Sequence, residues 1–161
     1  MDLSRERILE LLQNIPDPEL PFLDIVELGM IRGVRCKNEC AEIDFAPTYF
    51  ACPAVDVIKN EIFQVLTQEG LTSVNIKLIF SPPWSTEDLH QTARDKLKLA
   101  GIAPPATHTE QLVQLSGKGS IPCPRCNSTE TLRLSEFGAT ACKAMYRCSH
   151  CLEPFEYFKR M

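Results

Sequence analysis

Two pairs of cysteines in the C-terminal third of the chain constrain its fold more than any other feature. Cys123 and Cys126 form one CxxC pair, Cys148 and Cys151 form the second, and residues 127–147 lie between them. Each pair can aim two thiolates at one point, and two such pairs complete the tetrahedral sulfur shell of a structural zinc ion. The sequence therefore predicts a zinc ribbon with one zinc per chain. A rubredoxin-like iron at these sulfurs is an open alternative, and a redox CxxC is disfavoured because neither pair sits in a βαβ context.

Composition places the chain among globular proteins. Of its 161 residues, 44% are hydrophobic and 24% are charged, and the apolar runs fall short of the about 20 residues of a spanning helix, so we predict no membrane partner. The formal net charge of -4 disfavours binding to nucleic acid. The first residues lack the basic and then apolar pattern of a secretory signal. We therefore expect a cytoplasmic protein whose eight cysteines stay reduced.

The sequence pattern changes near residue 103. Periodic apolar positions continue up to that point, and the following stretch is small, rich in proline and without a period, as linkers are. The predicted organisation is a first domain over 1–103, a linker over 104–118 and a zinc ribbon over 119–161. The charge divides in the same way, because residues 1–107 carry 10 Lys and Arg against 16 Asp and Glu, and the remainder carries 7 against 5.

The first domain reads as an α+β fold with the order αββαβα, helices covering one face of a three-stranded sheet. Its final helix should follow Pro82-Pro83-Trp84 and be capped by Ser85 or Thr86, because Ser85 and Asp88 have the spacing of a capping box. The other predicted elements are a helix over 3–14, strands over about 28–36 and 40–46, a helix over 53–68 that begins at Pro53, and a strand with period two over 74–80.

Cys52 is the cysteine of the first domain whose position suggests chemistry. It follows a predicted strand and stands immediately before the predicted helix that begins at Pro53. The free N–H groups and the dipole of a helix N-terminus favour a thiolate, so we expect a lowered pKa if solvent reaches the sulfur. Such a thiolate could bind a soft metal, carry sulfur or attack an electrophile. The alternative is a buried cysteine that serves the fold only.

Carboxylates also cluster in the loop before the first strand. Asp17, Glu19, Asp24 and Glu27 lie close together in the chain and could bind a metal or transfer protons. Taken alone, they more often cap loops and face solvent.

The remaining cysteines and histidines give weaker signals. Cys36 and Cys40 flank a hairpin turn but have no partner pair, so a metal site there is disfavoured. Cys142 should be a small buried residue, and His150 an exposed neighbour of two zinc ligands. His90 gives no support to a Cys–His hydrolase.

Taken together, these motifs resemble the MIP18 family, also called the DUF59 domain. The resemblance covers residues 5–103 and is carried by five stretches: Ile15 to Pro21, Glu27 to Ile31, Thr48 to Pro53, Ser81 to Trp84, and Leu99 to Ile102. Members of this family are linked to iron–sulfur cluster assembly and to the maturation of target proteins. The resemblance implies one functional patch for a metal or cluster, formed by Asp17, Glu19, Thr48 and Cys52, with Cys52 as the key thiol.

The ribbon narrows the resemblance to family members of bacterial phenylacetate degradation, which accompany a multicomponent phenylacetyl-CoA epoxidase. It implies a non-enzymatic accessory factor that helps assemble the iron–sulfur or di-iron centres of that oxygenase. The oxygenase or reductase components would then be its partners, and iron or a cluster would be held only transiently. A stoichiometric effector subunit without metal transfer is the main alternative, and an enzyme using Cys52 as nucleophile is another. A homodimer is left open.

Overall fold

The computed structural model describes residues 3–106 and 121–160. The chain divides into two compact units, residues 1–90 and residues 91–161. The predicted linker over 104–118 lies almost wholly outside the described residues, and the domain borders at 103 and 119 remain a prediction. In the described part of the chain, every helix is too short or too polar to cross a membrane.

A mixed three-stranded sheet forms the centre of the first unit. Strand β1 (Ile31–Lys37) and strand β2 (Cys40–Phe45) make an antiparallel hairpin in which Val34 lies opposite Ile43. Strand β3 (Ser73–Leu78) runs parallel to β2 at the other edge, so the order is β1-β2-β3. Apolar residues alternate with polar ones along β2 and β3, which leaves one face for the core and one for solvent.

Two helices accompany this sheet. Helix α1 (Arg5–Leu12) begins after Ser4, whose hydroxyl accepts the N–H of Arg7 as an N-cap. Helix α2 (Val55–Gln68) connects β2 to β3 and packs against α1 and β3. Apolar side chains at helical spacing meet the sheet in a core that includes Ile8, Leu12, Ile43, Phe45, Ile58, Ile62 and Leu66.

The turn before β1 packs against the loop that follows β3. Gly29 has a φ of +71°, and a Cβ there would collide with the backbone carbonyl of Asp88. The Trp84 indole N–H donates to the carbonyl of Leu28 at 2.8 Å. The Arg32 guanidinium donates twice to the Asp88 carboxylate, at 3.0 and 2.7 Å. These contacts fix the PPW stretch of the sequence.

The second unit is a ribbon with one helix. Helix α3 (Gln91–Leu99) is followed by strand β4 (Ile102–Ala103), and the ribbon strands are β5 (Thr131–Ser135), β6 (Lys143–Cys148) and β7 (Pro154–Phe158). The sheet order is β4-β7-β6-β5, with β6 antiparallel to both of its neighbours and β4 parallel to β7.

The fold class predicted from the sequence is confirmed, although local details differ. Helix α2 begins at Val55 rather than at Pro53, because Pro53 and Ala54 form a turn and Ala54 takes the capping position. The final helix is interrupted: the Ser85–Asp88 capping box closes a single 3₁₀ turn, Thr86–Asp88, and Leu89 is extended before α3 begins.

Candidate functional site

The four predicted zinc ligands converge on one point of the ribbon. All four sulfurs lie within 4.8 Å of one another, with Cys123 to Cys151 at 3.7 Å and Cys126 to Cys148 at 3.6 Å. A zinc ion bound at about 2.3 Å to four sulfurs separates them by about 3.8 Å, so the cluster has the size of a tetrahedral zinc site. It is the one convergent group of three or more metal-ligating side chains within residues 3–106 and 121–160.

The two cysteine pairs have the same local geometry. In each, the N–H of the first cysteine donates to the carbonyl five residues later, at 2.9 Å for Cys123 and 3.0 Å for Cys148. The fourth residue after each first cysteine adopts a positive φ, 60° for Asn127 and 64° for Leu152. The Cys151 N–H also donates to the Cys148 sulfur at 3.4 Å. N–H groups aimed at sulfur favour thiolates, which are the form that binds zinc.

The ribbon core is built around these ligands. Cys123 and Cys148 are fully buried together with Ala103 and Phe155. Tyr146 stacks on Phe155 with ring centroids 5.9 Å apart and packs against the same cluster. A cation bound by the four sulfurs would cross-link this small core and so stabilise the fold of the unit.

Cys52 lies in the turn that leads from β2 to α2. This turn is closed by the Cys52 N–H, which donates to the Tyr49 carbonyl at 3.2 Å, and by the Val55 N–H, which donates to the Cys52 carbonyl at 3.3 Å. The side chain is 7% exposed. The Thr48 hydroxyl and the Ala54 N–H both donate to its sulfur.

Two carboxylates of the loop before β1 also influence Cys52. Glu19 and Asp17 act electrostatically on the Cys52 sulfur, although more than thirty residues separate them from it in the chain. Asp17 and Glu19 thus lie within electrostatic range of the Cys52 sulfur, although their carboxylates do not form with it a ligand cluster like that of the ribbon. That Asp17, Glu19, Thr48 and Cys52 form one functional patch remains a prediction. Glu19 and Thr48 are half-buried, and Asp17 is buried.

Burial raises the pKa of the Cys52 thiol, and the Glu19 and Asp17 carboxylates raise it further, against the opposing effect of the hydrogen bonds from Ala54 and Thr48. The expectation of a lowered pKa required solvent to reach the sulfur, and the burial of Cys52 removes that condition. The raised pKa favours the neutral thiol, so a bound cation would have to displace its proton.

Asp17 also holds its own loop together. Its Oδ1 accepts the N–H groups of Glu19 at 2.8 Å and of Leu20 at 2.9 Å. Burial raises its pKa, and these two hydrogen bonds oppose that effect. The loop is closed further by the Asp17 N–H, which donates to the Leu23 carbonyl at 2.8 Å.

Other polar candidates of the first unit serve the fold. Asp24 accepts the N–H of Glu27 at 2.8 Å, and the Glu27 carboxylate accepts the N–H of Asp24 at 3.0 Å, which is a reciprocal capping pair. Cys36 lies opposite Ala41 and Cys40 lies opposite Lys37, so the two cysteines occupy separate rungs of the hairpin rather than facing each other.

The two remaining candidates of the ribbon are placed as expected. Cys142 is buried and contacts the Thr140 hydroxyl at 3.0 Å. His150 is exposed beside the second cysteine pair.

Sequence reasoning missed an aromatic surface beside the Cys52 turn. Phe50 is 86% exposed and Phe80 is 45% exposed, with their ring centroids 5.4 Å apart. A tyrosine and a phenylalanine between two prolines in a short turn, as in the stretch from Pro47 to Pro53, are the signal that could have revealed it.

Two family models match the chain. One is described as "Iron-sulfur cluster assembly protein" and matches residues 5–78, which contain Cys52 and the acidic loop. The other is described as "PaaD zinc beta ribbon domain" and matches residues 107–159, which contain the four clustered cysteines.

Two known proteins are similar to the chain in sequence. One, from Escherichia coli K12, is named as a subunit of "Putative 1,2-phenylacetyl-CoA epoxidase" and is 45% identical over 152 residues, covering 94% of this chain and 90% of its own length. The other, from Porphyromonas gingivalis, is called "Fe-S protein maturation auxiliary factor" and is 28% identical over 92 residues. It covers 56% of this chain and 87% of its own length.

Solved structures resemble the first part of the chain. A DUF59 domain from Bacillus anthracis has a TM-score of 0.54 and 28% identity, covering 57% of this chain and 89% of its own. A conserved hypothetical protein from Thermotoga maritima has a TM-score of 0.52 and 28% identity, covering 59% and 94%.

Fold, cysteine cluster and these comparisons define a MIP18-type, or DUF59, domain followed by a zinc ribbon. The chain belongs to the PaaD family, whose zinc ribbon and iron–sulfur assembly models it matches. The family interpretation made from the sequence is thus confirmed. The four cysteines form the metal site of this ribbon.

Proposed function

We propose that this protein is a non-catalytic accessory factor that helps to assemble the iron–sulfur or di-iron centres of a phenylacetyl-CoA epoxidase. The patch of Cys52, Thr48, Asp17 and Glu19 handles iron or a cluster as cargo, and the ribbon zinc is structural. An accessory role is supported by the relative named as an epoxidase subunit and by the relative named as an iron–sulfur maturation factor. Because both sulfur sites need reduced thiols, the protein acts in the cytoplasm.

The proposal is supported by the surroundings of Cys52: the thiol is buried in a turn, Thr48 contacts its sulfur, and Glu19 and Asp17 act on it electrostatically. Two carboxylates beside a buried thiol raise the cost of a thiolate while the site holds no cation. A ferrous ion reverses this balance, because its positive charge stabilises the thiolate and both carboxylates. When the Fe–S bond forms, the S–H bond breaks and the proton passes to solvent water.

The same surroundings of Cys52 favour transient binding of iron or a cluster. A thiol with a raised pKa recovers its proton readily, so cargo bound through a single sulfur is released more easily than by four thiolates. The groups acting on the Cys52 sulfur are an amide N–H, a hydroxyl and two carboxylates, and this set contains no histidine to activate it as a nucleophile. The arrangement therefore favours cargo handling over covalent catalysis.

Zinc bound by Cys123, Cys126, Cys148 and Cys151 would cross-link the ribbon. In this proposal it takes no part in the transfer of iron or a cluster. All four positions carry protein sulfurs, as in closed structural sites that leave no coordination position for a substrate.

The proposal is tested in a bacterium that grows on phenylacetate and depends on this protein. Replacing Cys52→Ser should stop growth on phenylacetate and lower the iron content of the purified epoxidase components several-fold. Cys40→Ser is the matched control, because Cys40 is an exposed thiol of the same unit outside the patch. Normal iron loading and growth with Cys52→Ser would overturn the proposal.

A stoichiometric effector subunit is the second candidate, and the name of the 45% identical relative favours it. This role predicts co-purification at a fixed ratio with the mature complex. It also predicts that adding the protein raises the turnover of epoxidase whose metal centres are already complete, whereas a maturation factor leaves that turnover unchanged.

A further inference from the structure

A small groove adjoins the Cys52 turn and is lined by uncharged residues. It encloses about 150 Å³ between the turn after β2 and the loop after β3. Its walls include Pro47, Phe50, Ile79, Phe80 and Trp84. Such a groove can accept one apolar side chain of a partner.

Two of the aromatic rings that line the groove are exposed to solvent. The Phe50 ring, 86% exposed, leans at 48° on Phe80, and neither contributes to the core of the unit. Rigid aromatic side chains next to a pocket are typical anchors of protein–protein contacts, because they bury a large area at a small cost in side-chain entropy.

The groove and the Cys52 site share a residue. Thr48 lines the groove and also donates its hydroxyl to the Cys52 sulfur. Whatever occupies the groove is therefore held one side chain away from the proposed cargo thiol.

The charge of the first unit bears on which partner the groove accepts. Residues 1–90 carry 7 Lys and Arg against 15 Asp and Glu, and Glu19 and Asp17 act electrostatically on the Cys52 sulfur that Thr48 contacts. A symmetric contact between two copies would bring two acidic units together, which is unfavourable. A partner with basic residues around an apolar side chain is attracted instead.

We propose that the groove at Phe50 and Phe80 is the docking site for the client polypeptide, an epoxidase component that presents an apolar side chain flanked by Lys or Arg. Docking places the metal centre of the client beside Cys52. This inference rests on the proposed function and names the partner surface of the same site.

Binding measurements with defined probes test the docking site. The full-length protein is immobilised, and the purified oxygenase and reductase components of the phenylacetyl-CoA epoxidase are applied separately at two salt concentrations. Phe50→Ser and Phe80→Ser should each weaken binding of one component at least ten-fold. Phe63→Ser, which alters a 51% exposed phenylalanine on α2 outside the groove, should change it less than two-fold. Binding of the wild type should also weaken at high salt.

Three outcomes of this measurement overturn the inference. They are unchanged binding by Phe50→Ser, an equal loss with Phe63→Ser, and no binding of any component to the wild type at up to about 100 μM.

Photo-cross-linking identifies the occupant directly. With Phe50→p-benzoylphenylalanine, the inference predicts a covalent adduct with an epoxidase component. An adduct only with a second copy, or only with residues 107–120 of the same chain, contradicts it.

The variant Cys52→Ser separates this inference from the proposed function. If Cys52→Ser binds the epoxidase component normally but no longer supports its iron loading, the docking site and the proposed function are both supported. If it binds and loads iron normally, the proposed function fails while the docking site stands.

Discussion

Asp17 combines a buried charge with a structural task. Its carboxylate caps the acidic loop through two backbone N–H groups, while burial raises its pKa. A carboxyl group whose pKa is higher in the folded state destabilises the fold as the pH rises above the unfolded value. The cap and the charge therefore act on stability in opposite directions near pH 7.

Two substitutions at Asp17 separate these effects. Asp17→Asn keeps an acceptor for both N–H groups and removes the charge, so unfolding of the first unit at pH 7 should require more free energy than in the wild type. Asp17→Ala also removes the charge but loses the cap, so it should be about 1 kcal/mol less stable than Asp17→Asn. Urea titration followed by the fluorescence of Trp84, the one tryptophan of the chain, measures both. The advantage of Asp17→Asn should shrink as the pH falls towards 4, and an advantage that grows would be inconsistent with a raised pKa at Asp17.

The reactivity of Cys52 should follow the carboxylates beside it. Glu19→Gln removes a negative charge that raises the pKa of the thiol, so alkylation of Cys52 by iodoacetamide at pH 8 should become roughly two-fold faster, as for a half-exposed charge. Peptide mass spectrometry resolves Cys52 from the other cysteines. Glu61→Gln on α2 removes another half-buried carboxylate and should leave the rate unchanged. A slower reaction in Glu19→Gln would show that the charge does not act as described.

At the scale of elements, one close contact holds the turn before β1 against the loop after β3. Gly29→Ala adds a Cβ against the Asp88 carbonyl at a φ of +71°, which should lower the free energy of unfolding by about 3 kcal/mol. Gly70→Ala is the matched control, because its φ is +96° but nothing lies within 4 Å of the added carbon. It should cost about 1 kcal/mol. Similar losses in the two variants, measured by urea titration, would rule out the steric contact as the cause.

All strands of the ribbon should need the bound metal to stay folded. All four ligand sulfurs belong to or border its small core, and removing the cation leaves thiols at the centre of it. Chelation under reducing conditions should abolish amide-exchange protection in β5, β6 and β7, with little change in the Trp84 emission of the first unit. Retained protection in these strands after zinc removal would show that the ribbon folds without metal.

The sequence predicted the elements with strong periodicity and the ligands with fixed spacing. The strands β1 to β3 and the zinc cysteines can be predicted from neighbouring residues alone, because apolar periodicity indicates a strand and CxxC spacing indicates a metal site. The direction of the Cys52 pKa shift could not be predicted, since it depends on burial and on Glu19 and Asp17 in a distant loop. Strand β4 was missed because two residues in a proline-rich stretch become a strand only by pairing with β7.

At the scale of the whole molecule, our proposal assigns different roles to the cysteines of the two units. Four cysteine sulfurs in the second unit form a metal site, which in our proposal holds one structural zinc ion. In our proposal, one thiol in the first unit, beside two carboxylates and an exposed aromatic groove, is available for exchange with a client. The acidic first unit, with a formal charge of -8 over residues 1–90, favours both cations and basic partners.

Metal analysis of protein purified under anaerobic conditions tests this division most directly. The wild type, Cys52→Ser and the control Cys40→Ser are each supplied with ferrous iron, desalted and analysed for zinc and iron. We predict about one zinc per chain in all three proteins, with iron retained by the wild type and Cys40→Ser and lost from Cys52→Ser. Equal iron in all three, no iron in any, or loss of zinc from Cys52→Ser would contradict this division.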